Sequence, residues 1–222
     1  MHIDLHAHIL PKADHGSDGI DTSLKQVSLA RQAGIELLAA TPHFYPTVDT
    51  AEAFLERRQR CYGELLSKLG KDSPEILLGA EVQLCRGLDH LPQIRELCFQ
   101  GTDVILLELP GDFRYKLFAR SIESMQYEMG LRPVFAHVDR YPELAEDLID
   151  AGYMAQLNVS SLCTLFRRKQ LYKWIEQGSI VALGSDIHGT ATGYTQFLRA
   201  KEKLGSLYDE IMTCTARILG RE

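Results

Sequence analysis

The amino-acid sequence predicts a mainly parallel α/β protein that folds as one closed or nearly closed barrel of seven strands. Short apolar runs rich in β-branched residues alternate with longer segments of helical periodicity along the 222 residues. No linker rich in glycine, serine or proline and no internal repeat interrupts this alternation, so one domain over residues 1–222 is expected. Seven strands in one domain favour a barrel over an open sheet.

The predicted strands share a length of three to six residues and a high content of valine, isoleucine and leucine. They are residues 1–5, 35–40, 76–80, 104–107, 134–136, 154–159 and 180–183. Glycines predicted to end the intervening helices in a left-handed conformation are Gly34, Gly130, Gly152 and Gly178. Side chains predicted to begin helices by capping are Asp21 or Thr22, Ser121 and Ser161.

Charge and hydropathy exclude several classes of protein. The formal net charge is -6 and there is no long basic run, which argues against nucleic acid as a partner. A small basic patch at Arg114, Lys116 and Arg120 remains available to an anionic substrate. No apolar run approaches the roughly 18 residues of a membrane span, and the N-terminus lacks the pattern of a signal peptide. A cytoplasmic protein is therefore expected.

Cysteine chemistry is not expected to carry the function. The five cysteines are odd in number, form no Cys-x-x-Cys pair and are predicted to be reduced thiols in or near the core. None is followed six positions later by arginine, as in the loop of the thiolate phosphatases. The nucleophile elbow of serine hydrolases and the glycine-rich loops that bind nucleotides are absent as well.

Potential metal ligands occur where the predicted strands end, which is the rim where β/α barrels build their active sites. Six of the eight histidines lie there, and His-x-His and Asp-x-His each place two side chains on one face of a strand. These ligand types suit zinc, manganese or iron, and their number exceeds one coordination sphere, so two or three divalent ions are predicted. The candidates are His6, His8, His15, His43, Glu81, Glu108, His137, Asp186 and His188.

Two further features directly follow ligand candidates. Arg140 is placed to grip a phosphate through its planar guanidinium, or alternatively to form a surface salt bridge with Glu143 or Asp139. Phe44 and Tyr45 are placed to form a wall of the substrate pocket, or alternatively to pack within their loop. The sequence leaves both pairs of alternatives open.

At these residues the chain resembles the polymerase and histidinol phosphatase (PHP) superfamily. Within it, the chain is similar to the bacterial manganese-dependent tyrosine-protein phosphatases of capsule and exopolysaccharide operons. The resemblance runs from residue 2 to near residue 190 and implies a distorted seven-stranded β/α barrel with a trinuclear metal site. The motifs that carry it, in order, are Asp4-Leu-His-Ala-His-Ile-Leu-Pro, Thr41-Pro-His, Gly79-Ala-Glu, Glu108, Ala136-His-Val-Asp-Arg-Tyr and Ser185-Asp-Ile-His.

The resemblance also implies how the ligands are shared among three ions. One ion is held by His6, His8, Glu81 and Asp186, and a second by Glu81, Glu108 and His137. The third is held by His43, His188 and a residue of the first loop. That loop usually reads Asp-Asp-Gly in these phosphatases and reads Asp14-His15-Gly16 here, which implies His15 as the ligand, with Asp14 as the alternative. Manganese is the implied metal, with iron or zinc as alternatives.

The implied activity is hydrolysis of phosphotyrosine in a protein, such as the tail of a tyrosine kinase, linked to capsule or exopolysaccharide regulation. A hydroxide bridging two cations would attack phosphorus, Arg140 would neutralise charge on the phosphoryl group, and Asp186 or a metal-bound water would protonate the leaving oxygen. After His188, where these phosphatases supply another phosphate-binding arginine, the chain reads Gly-Thr-Ala-Thr-Gly-Tyr, so Arg140 acts alone or with Arg114.

Other functions compatible with the sequence are a small-molecule phosphatase for histidinol phosphate or a sugar phosphate, an amidohydrolase, and a barrel that binds metal without catalysis. Amidohydrolases commonly use a lysine at a strand end, and the third to fifth predicted strands end without one. The complete ligand set argues against a non-catalytic barrel.

Overall fold

The computed structural model describes residues 1–164, 168–189 and 193–221, in which strands alternate with helices. The strands are β1 (Ile3–Ala7), β2 (Leu37–Ala40), β3 (His43–Phe44), β4 (Glu75–Leu78), β5 (Glu81–Gln83), β6 (Val104–Glu108), β7 (Arg132–Phe135), β8 (Met154–Asn158) and β9 (Ile180–Gly184). The helices are α1 (Ile20–Gln32), α2 (Ala51–Leu66), α3 (Tyr115–Glu123), α4 (Pro142–Asp150), α5 (Val159–Leu162), α6 (Arg168–Glu176), α7 (Gly193–Leu204) and α8 (Ser206–Ile218).

The paired strands are parallel and form two sheets. One sheet has the order β1-β2-β4, and the other has the order β3-β5-β6-β7-β8-β9. Every residue of β1, β2 and β9 is buried. Parallel strands joined by helices are covered on both faces, which is why these runs are continuously apolar rather than alternating. The predicted α/β class with parallel sheets is confirmed.

The strands at the second and third predicted positions, residues 35–40 and 76–80, each consist of two segments with a break between them, and the second segment lies beyond the predicted end. Two residues separate β2 from β3, and two separate β4 from β5. The register nevertheless continues across both interruptions, because Ala40 pairs with Leu78 and His43, three residues later, pairs with Glu81, three residues after Leu78. The nine strand segments therefore occupy the seven predicted strand positions.

The first and last strands meet at a narrow seam. Ala7 forms an isolated parallel bridge with Ile187. The backbone N–H of Asp186 donates to the carbonyl of His6 at 2.8 Å, and that of His8 donates to the carbonyl of Ile187 at 3.3 Å. Within the described residues these bonds join β1 to the chain after β9 without a full ladder, so the barrel is distorted and its hydrogen-bonded closure is incomplete.

The sequence signals for helix ends are confirmed and those for helix starts are wrong. The four predicted stop glycines have φ between 67° and 83°. In contrast, Gly19 precedes α1, so Asp21 and Thr22 lie in its first turn rather than at its cap, while Ser121 lies inside α3 and Ser161 inside α5. A carboxylate in the first turn is favourable without capping, because it faces the positive end of the helix dipole.

The thiols and the helices bear on two further expectations from the sequence. The five cysteines are free; Cys61 and Cys98 are buried, and the other three are partly exposed. This agrees with the prediction of reduced thiols in or near the core. Among the described residues, no helix combines the length and the apolar character needed to cross a bilayer.

Gly184→Ala is expected to destabilise the barrel beside the seam. An added Cβ would lie 2.6 Å from the Cβ of His6 and 2.6 Å from Nε2 of Gln156. Because the strand backbone fixes the Cβ of His6, the free energy of unfolding should fall by about 1–3 kcal/mol in urea denaturation. Gly63→Ala is the control: this glycine lies in α2 with nothing within 4 Å of an added Cβ, so stability should rise by about 0.5–1 kcal/mol. Equal stability of Gly184→Ala and the parent would contradict the close packing at the seam.

Candidate metal centre

Four predicted ligands from three strand ends point at a common position. Nε2 of His6 lies 3.1 Å from Nε2 of His8, and these nitrogens lie 3.1 and 3.2 Å from Oε2 of Glu81. Oδ1 of Asp186 lies 3.7 Å from the His6 nitrogen and 3.4 Å from the His8 nitrogen. Ligand atoms about 2.1 Å from a tetrahedral ion stand about 3.4 Å apart, so this spacing fits one ion among the four side chains.

Glu81 also faces a second group of ligand candidates. Its Oε1 lies 2.7 Å from Nε2 of His137, and the same nitrogen lies 3.7 Å from Oε1 of Glu108. Nδ1 of His43 lies 2.8 Å from Oε2 of Glu81, and ligand atoms of His43, Glu81 and Glu108 lie within 4.8 Å of one another. Glu81 therefore stands between two groups of ligands, which is the position that a bridging carboxylate requires.

A third group consists of imidazole rings. Ligand atoms of His8, His43 and His188 lie within 4.8 Å of one another. The ring of His15 is stacked on His43, with centroids 4.8 Å apart and an interplanar angle of 10°, and its centroid lies 4.7 Å from that of His188. His15 thus lies beside the third group, but it belongs to none of the three compact sets found among the described residues.

Buried atoms in this cluster lack hydrogen-bonding partners. Among the described residues these include Nδ1 of His43, Oε2 of Glu81, Nδ1 of His137 and Nε2 of His188. A buried polar atom without a partner is costly, and the close contacts of Glu81 do not have the geometry of hydrogen bonds at this oxygen. Nitrogen and carboxylate lone pairs that converge in this way fit divalent cations.

The charges in the cluster also favour the binding of divalent cations. Burial alone would raise the pKa of Glu81, but His6, His137 and His43 outweigh it and hold that pKa well below its usual range. Burial would lower the pKa of His8, but Asp14, Asp186 and Glu81 raise it well above its usual value. The carboxylates thus create a negative potential that attracts positive charge, and divalent cations compete with protons for the same nitrogen atoms.

Two of the ligand candidates have a strained backbone. His137 has φ of 32° and Asp186 has φ of 50°, in a region where only three non-glycine residues fall in the described part of the chain. A left-handed conformation is unfavourable for residues with a Cβ and is retained where the surrounding structure enforces it. At both positions it turns the side chain back over the strand ends, towards Glu81 and His6.

Hydrogen bonds fix which ring nitrogen of two histidines faces the cluster. Nδ1 of His8 lies 2.7 Å from Oδ2 of Asp14, and Nδ1 of His6 lies 3.2 Å from Oε1 of Gln156. Both oxygens accept, so each Nδ1 is the donor and each Nε2 is the ring nitrogen left to bind a cation in place of a proton. The carbonyl oxygen of Gln156 also accepts from the backbone N–H of His137 at 2.8 Å.

Asp14 accepts three hydrogen bonds within the site. Besides His8, its carboxylate accepts from the backbone N–H groups of Gly16 at 2.8 Å and His43 at 2.9 Å. Burial would raise the pKa of Asp14, but the hydrogen bond to His8 outweighs it and holds the pKa well below its usual range. These contacts favour His15 over Asp14 as the loop ligand. They also require a glycine at position 16, where an added Cβ would lie 2.0 Å from the Cβ of His8.

Asp4 is a supporting residue that sequence reasoning left without a role. Its buried carboxylate accepts from the backbone N–H of Ser185 at 2.9 Å, that of His6 at 3.2 Å and the hydroxyl of Tyr194 at 3.0 Å. Burial raises its pKa to about 6 in spite of these bonds. Asp4 therefore ties β1 to the end of β9 directly beneath the ligands of both strands. The alternation Asp4-x-His-x-His was the signal, because side chains two apart share a face.

Polar side chains of β8 form a second supporting chain. Nε2 of Gln156 donates to Oδ1 of Asn158 at 3.1 Å, and Nδ2 of Asn158 donates to Oδ2 of Asp186 at 2.9 Å. Neither Gln156 nor Asn158 is among the ligand candidates that the sequence predicts. The same two-residue alternation places Gln156 and Asn158 on one face of the strand.

Arg140 lies at the mouth and pairs with Asp186, a partner that neither of the two alternatives from the sequence named. Its guanidinium contacts Oδ2 of Asp186 and is 44% exposed, while Asp139 accepts from the backbone N–H of Asn158 at 2.8 Å. Burial would raise the pKa of Asp186, but His6, His8 and Arg140 hold it far below its usual range. An ionised Asp186 is suited to bind a cation and poorly suited to donate a proton.

The other mouth residues divide between surface and core. Phe44 is buried against Phe54, whereas Tyr45 is half-buried and stacked on His43 with centroids 5.2 Å apart. Burial, with the charges of Glu108 and Glu81, raises the pKa of Tyr45 to about 12, so its phenol is neutral.

Arg114 precedes α3 and donates to the carbonyl of Phe113 at 2.7 Å. Residues 190–192, in the Gly-Thr-Ala-Thr-Gly-Tyr segment, lie outside the described part.

Comparisons with known proteins agree with this fold and site. The model of the family described as "Capsular polysaccharide synthesis, CpsB/CapC" matches residues 2–218. Tyrosine-protein phosphatase YwqE of Bacillus subtilis is 30% identical over 207 residues, which cover 86% of this chain and 78% of that protein. Tyrosine-protein phosphatase CpsB of Streptococcus pneumoniae is 24% identical over 209 residues, which cover 84% and 82%.

A solved structure extends the likeness to the whole fold. It is described as one of the crystal structures of YwqE from B. subtilis and CpsB from S. pneumoniae, "unique metal-dependent tyrosine phosphatases". It aligns with a TM-score of 0.78 and covers 99% of this chain and 95% of its own. Sequence identity over that alignment is 23%, so this likeness concerns the fold.

His15→Ala is expected to remove the third ion while leaving the pair that shares Glu81, whereas Glu81→Ala should remove both ions of that pair. The reason is that His15 lies beside the third group of ligands and Glu81 stands between the other two. Elemental analysis of the purified variants measures this. Asp14→Ala should keep the full count at saturating metal with roughly 10–100-fold weaker affinity, because it orients His8. Loss of one ion from Asp14→Ala and none from His15→Ala would make Asp14 the ligand.

Proposed function

Because the chain belongs to the CpsB/CapC family of capsular polysaccharide synthesis, we propose that it is a metal-dependent phosphatase of tyrosine-phosphorylated protein. This membership confirms the family predicted from the order of the motifs. Two relatives over most of its length are named tyrosine-protein phosphatases. One observation of this chain carries the proposal: the buried carboxylate of Glu81 lies within 3.2 Å of four imidazole nitrogens, those of His6, His8, His43 and His137.

The chemistry of the ligands supports two or three divalent ions, with manganese as the proposed metal and iron or zinc as alternatives. Imidazole nitrogen and carboxylate oxygen suit all three, and no thiolate lies among the ligand candidates. When bound, such ions lower the pKa of a coordinated water and neutralise charge on a phosphoryl group. No side chain of the chain then has to act as a covalent nucleophile.

The chain's own residues would hold and orient the phosphoryl group. Arg140 offers a planar set of donors at the mouth, and its contact with Asp186 keeps the guanidinium beside the ligand cluster. Asp186 is held ionised, which favours the role of a metal ligand over that of proton donor. The phenol of tyrosine, with a pKa of about 10, is a better leaving group than an alkyl alcohol, so an aryl phosphate makes less demand on a general acid.

The physiological substrate is proposed to be a phosphotyrosine protein, for example the tail of a tyrosine kinase, in capsule or exopolysaccharide regulation. A phosphotyrosine peptide should therefore be hydrolysed with higher kcat/KM than histidinol phosphate by manganese-loaded protein. A chelator should abolish both activities and added Mn²⁺ should restore them, since the proposed steps depend on bound cations. Active enzyme without metal would contradict the mechanism, and a preference for histidinol phosphate would make the protein a small-molecule phosphatase.

Arg140→Ala is expected to lower kcat/KM for the phosphotyrosine peptide by roughly two to three powers of ten, as for loss of one preorganised donor. Arg140→Lys should recover little, because an ammonium group cannot reproduce a bidentate grip. Metal content is measured in parallel, since Arg140 contacts Asp186. Parent-like turnover by Arg140→Ala would reduce the residue to a salt-bridge partner. If Arg140→Ala loses metal in proportion to its loss of activity, the role of Arg140 is to hold Asp186 in position.

A further inference from the structure

Tyr45 ends a ladder of stacked rings that leads from the metal centre to the surface. The ring of His15 is stacked on His43 at 4.8 Å and 10°, and His43 is stacked on Tyr45 at 5.2 Å and 17°. His43 in turn contacts Glu81 at 2.8 Å. Tyr45 is therefore one side chain away from the carboxylate at the centre of the ligand cluster.

The backbone of Tyr45 is fixed by the turn that follows it. Its carbonyl accepts from the N–H groups of Val48 at 2.9 Å and Asp49 at 3.0 Å. Asp49 is held by Arg57 at 2.7 Å, and Arg57 also donates to the carbonyl of Ala13 at 2.9 Å, in the loop that carries Asp14 and His15. One arginine of α2 thus anchors both loops beside the metal centre, and the Tyr45 ring is held in place without contacts of its own hydroxyl.

The Tyr45 ring is partly exposed beside the metal centre. His43 stacks on one of its faces. The side chain is half-buried, and its hydroxyl has no hydrogen-bonding partner among the described residues. A partly exposed aromatic ring that another ring holds from one side is suited to stack against a planar group.

The covalent structure of aryl phosphates indicates that the planar group is the phenyl ring of the substrate. In phosphotyrosine the ring is bonded directly to the ester oxygen, so it begins two bonds from phosphorus. A phosphoryl group at the metal centre must therefore place its ring among the side chains that touch the metal ligands. In histidinol phosphate and sugar phosphates a tetrahedral carbon occupies the same position and offers no flat face.

We propose that Tyr45 is a specificity-determining residue, whose ring stacks on the phenyl group of the substrate and favours aryl over alkyl phosphates. The inference rests on the proposed function and deepens it, because it assigns the preference for phosphotyrosine to one side chain of this chain. It concerns the ring and not the hydroxyl, so Tyr45→Phe retains the property and Tyr45→Ala loses it.

The test separates binding from turnover. Affinities of manganese-loaded protein for benzylphosphonate and ethylphosphonate are measured by calorimetry, because neither ligand has an ester bond to hydrolyse and the benzyl ring begins two bonds from phosphorus, as in phosphotyrosine. The parent should prefer benzylphosphonate, and Tyr45→Ala should reduce the ratio of the two affinities about tenfold, the size of one aromatic contact with its burial. Tyr45→Phe should keep the parental ratio. Val48→Ala, on the same turn but 83% exposed, is the matched control and should also keep it.

Metal content of each variant is measured beside the affinities, since Tyr45 also packs on the ligand candidate His43. The proposal is overturned if the parent has no preference, if Tyr45→Ala keeps the parental ratio, or if Tyr45→Phe loses it as fully as Tyr45→Ala. Equal weakening of both ligands with loss of metal would make Tyr45 only a support for His43. Failure to hydrolyse a phosphotyrosine peptide, with the benzylphosphonate preference intact, would reject the proposed function and leave this inference standing.

Discussion

The buried carboxylate of Glu81 is the constraint on which the rest of the site depends. It is 1% exposed, and four histidines from three other strand ends have ring nitrogens within 3.2 Å of its oxygens. A lone buried carboxylate of this kind is expensive, and so is a set of imidazoles packed against one another. Divalent cations between them satisfy both, which couples metal binding to the stability of the strand ends.

Side-chain hydrogen bonds connect the strands of the barrel where backbone hydrogen bonds are few. The seam between β1 and β9 has one bridge and two nearby backbone bonds in the described residues. The buried carboxylate of Asp4 bonds to both strands there, and Gln156 and Asn158 connect the neighbouring strand to His6 and Asp186. Side-chain hydrogen bonds thus hold the ligands of the seam in the orientation that a cation requires.

The residues at the mouth of the site lie on loops rather than on strands, so the sheet does not fix their positions. Their positions are set by individual anchors, such as Arg57, which joins the loops that carry His15 and Tyr45. The loops of the mouth and the strand ends beneath them are therefore positioned by separate contacts. In β/α barrels generally, loops can vary in this way while the strand scaffold is kept.

The sequence by itself determined the seven strand positions, the α/β class and the set of candidate ligands, because parallel strands bring their carboxyl ends to one rim. It could not decide how that set is divided: His43 lies 2.8 Å from Glu81 and also belongs to the third group, and Asp14 accepts a hydrogen bond from His8. The sequence also could not assign a role to Asp4 or Gln156, or identify the residue that pairs with Arg140. Those roles depend on contacts across the barrel between residues far apart in the chain, and only the tertiary structure sets their distances and angles.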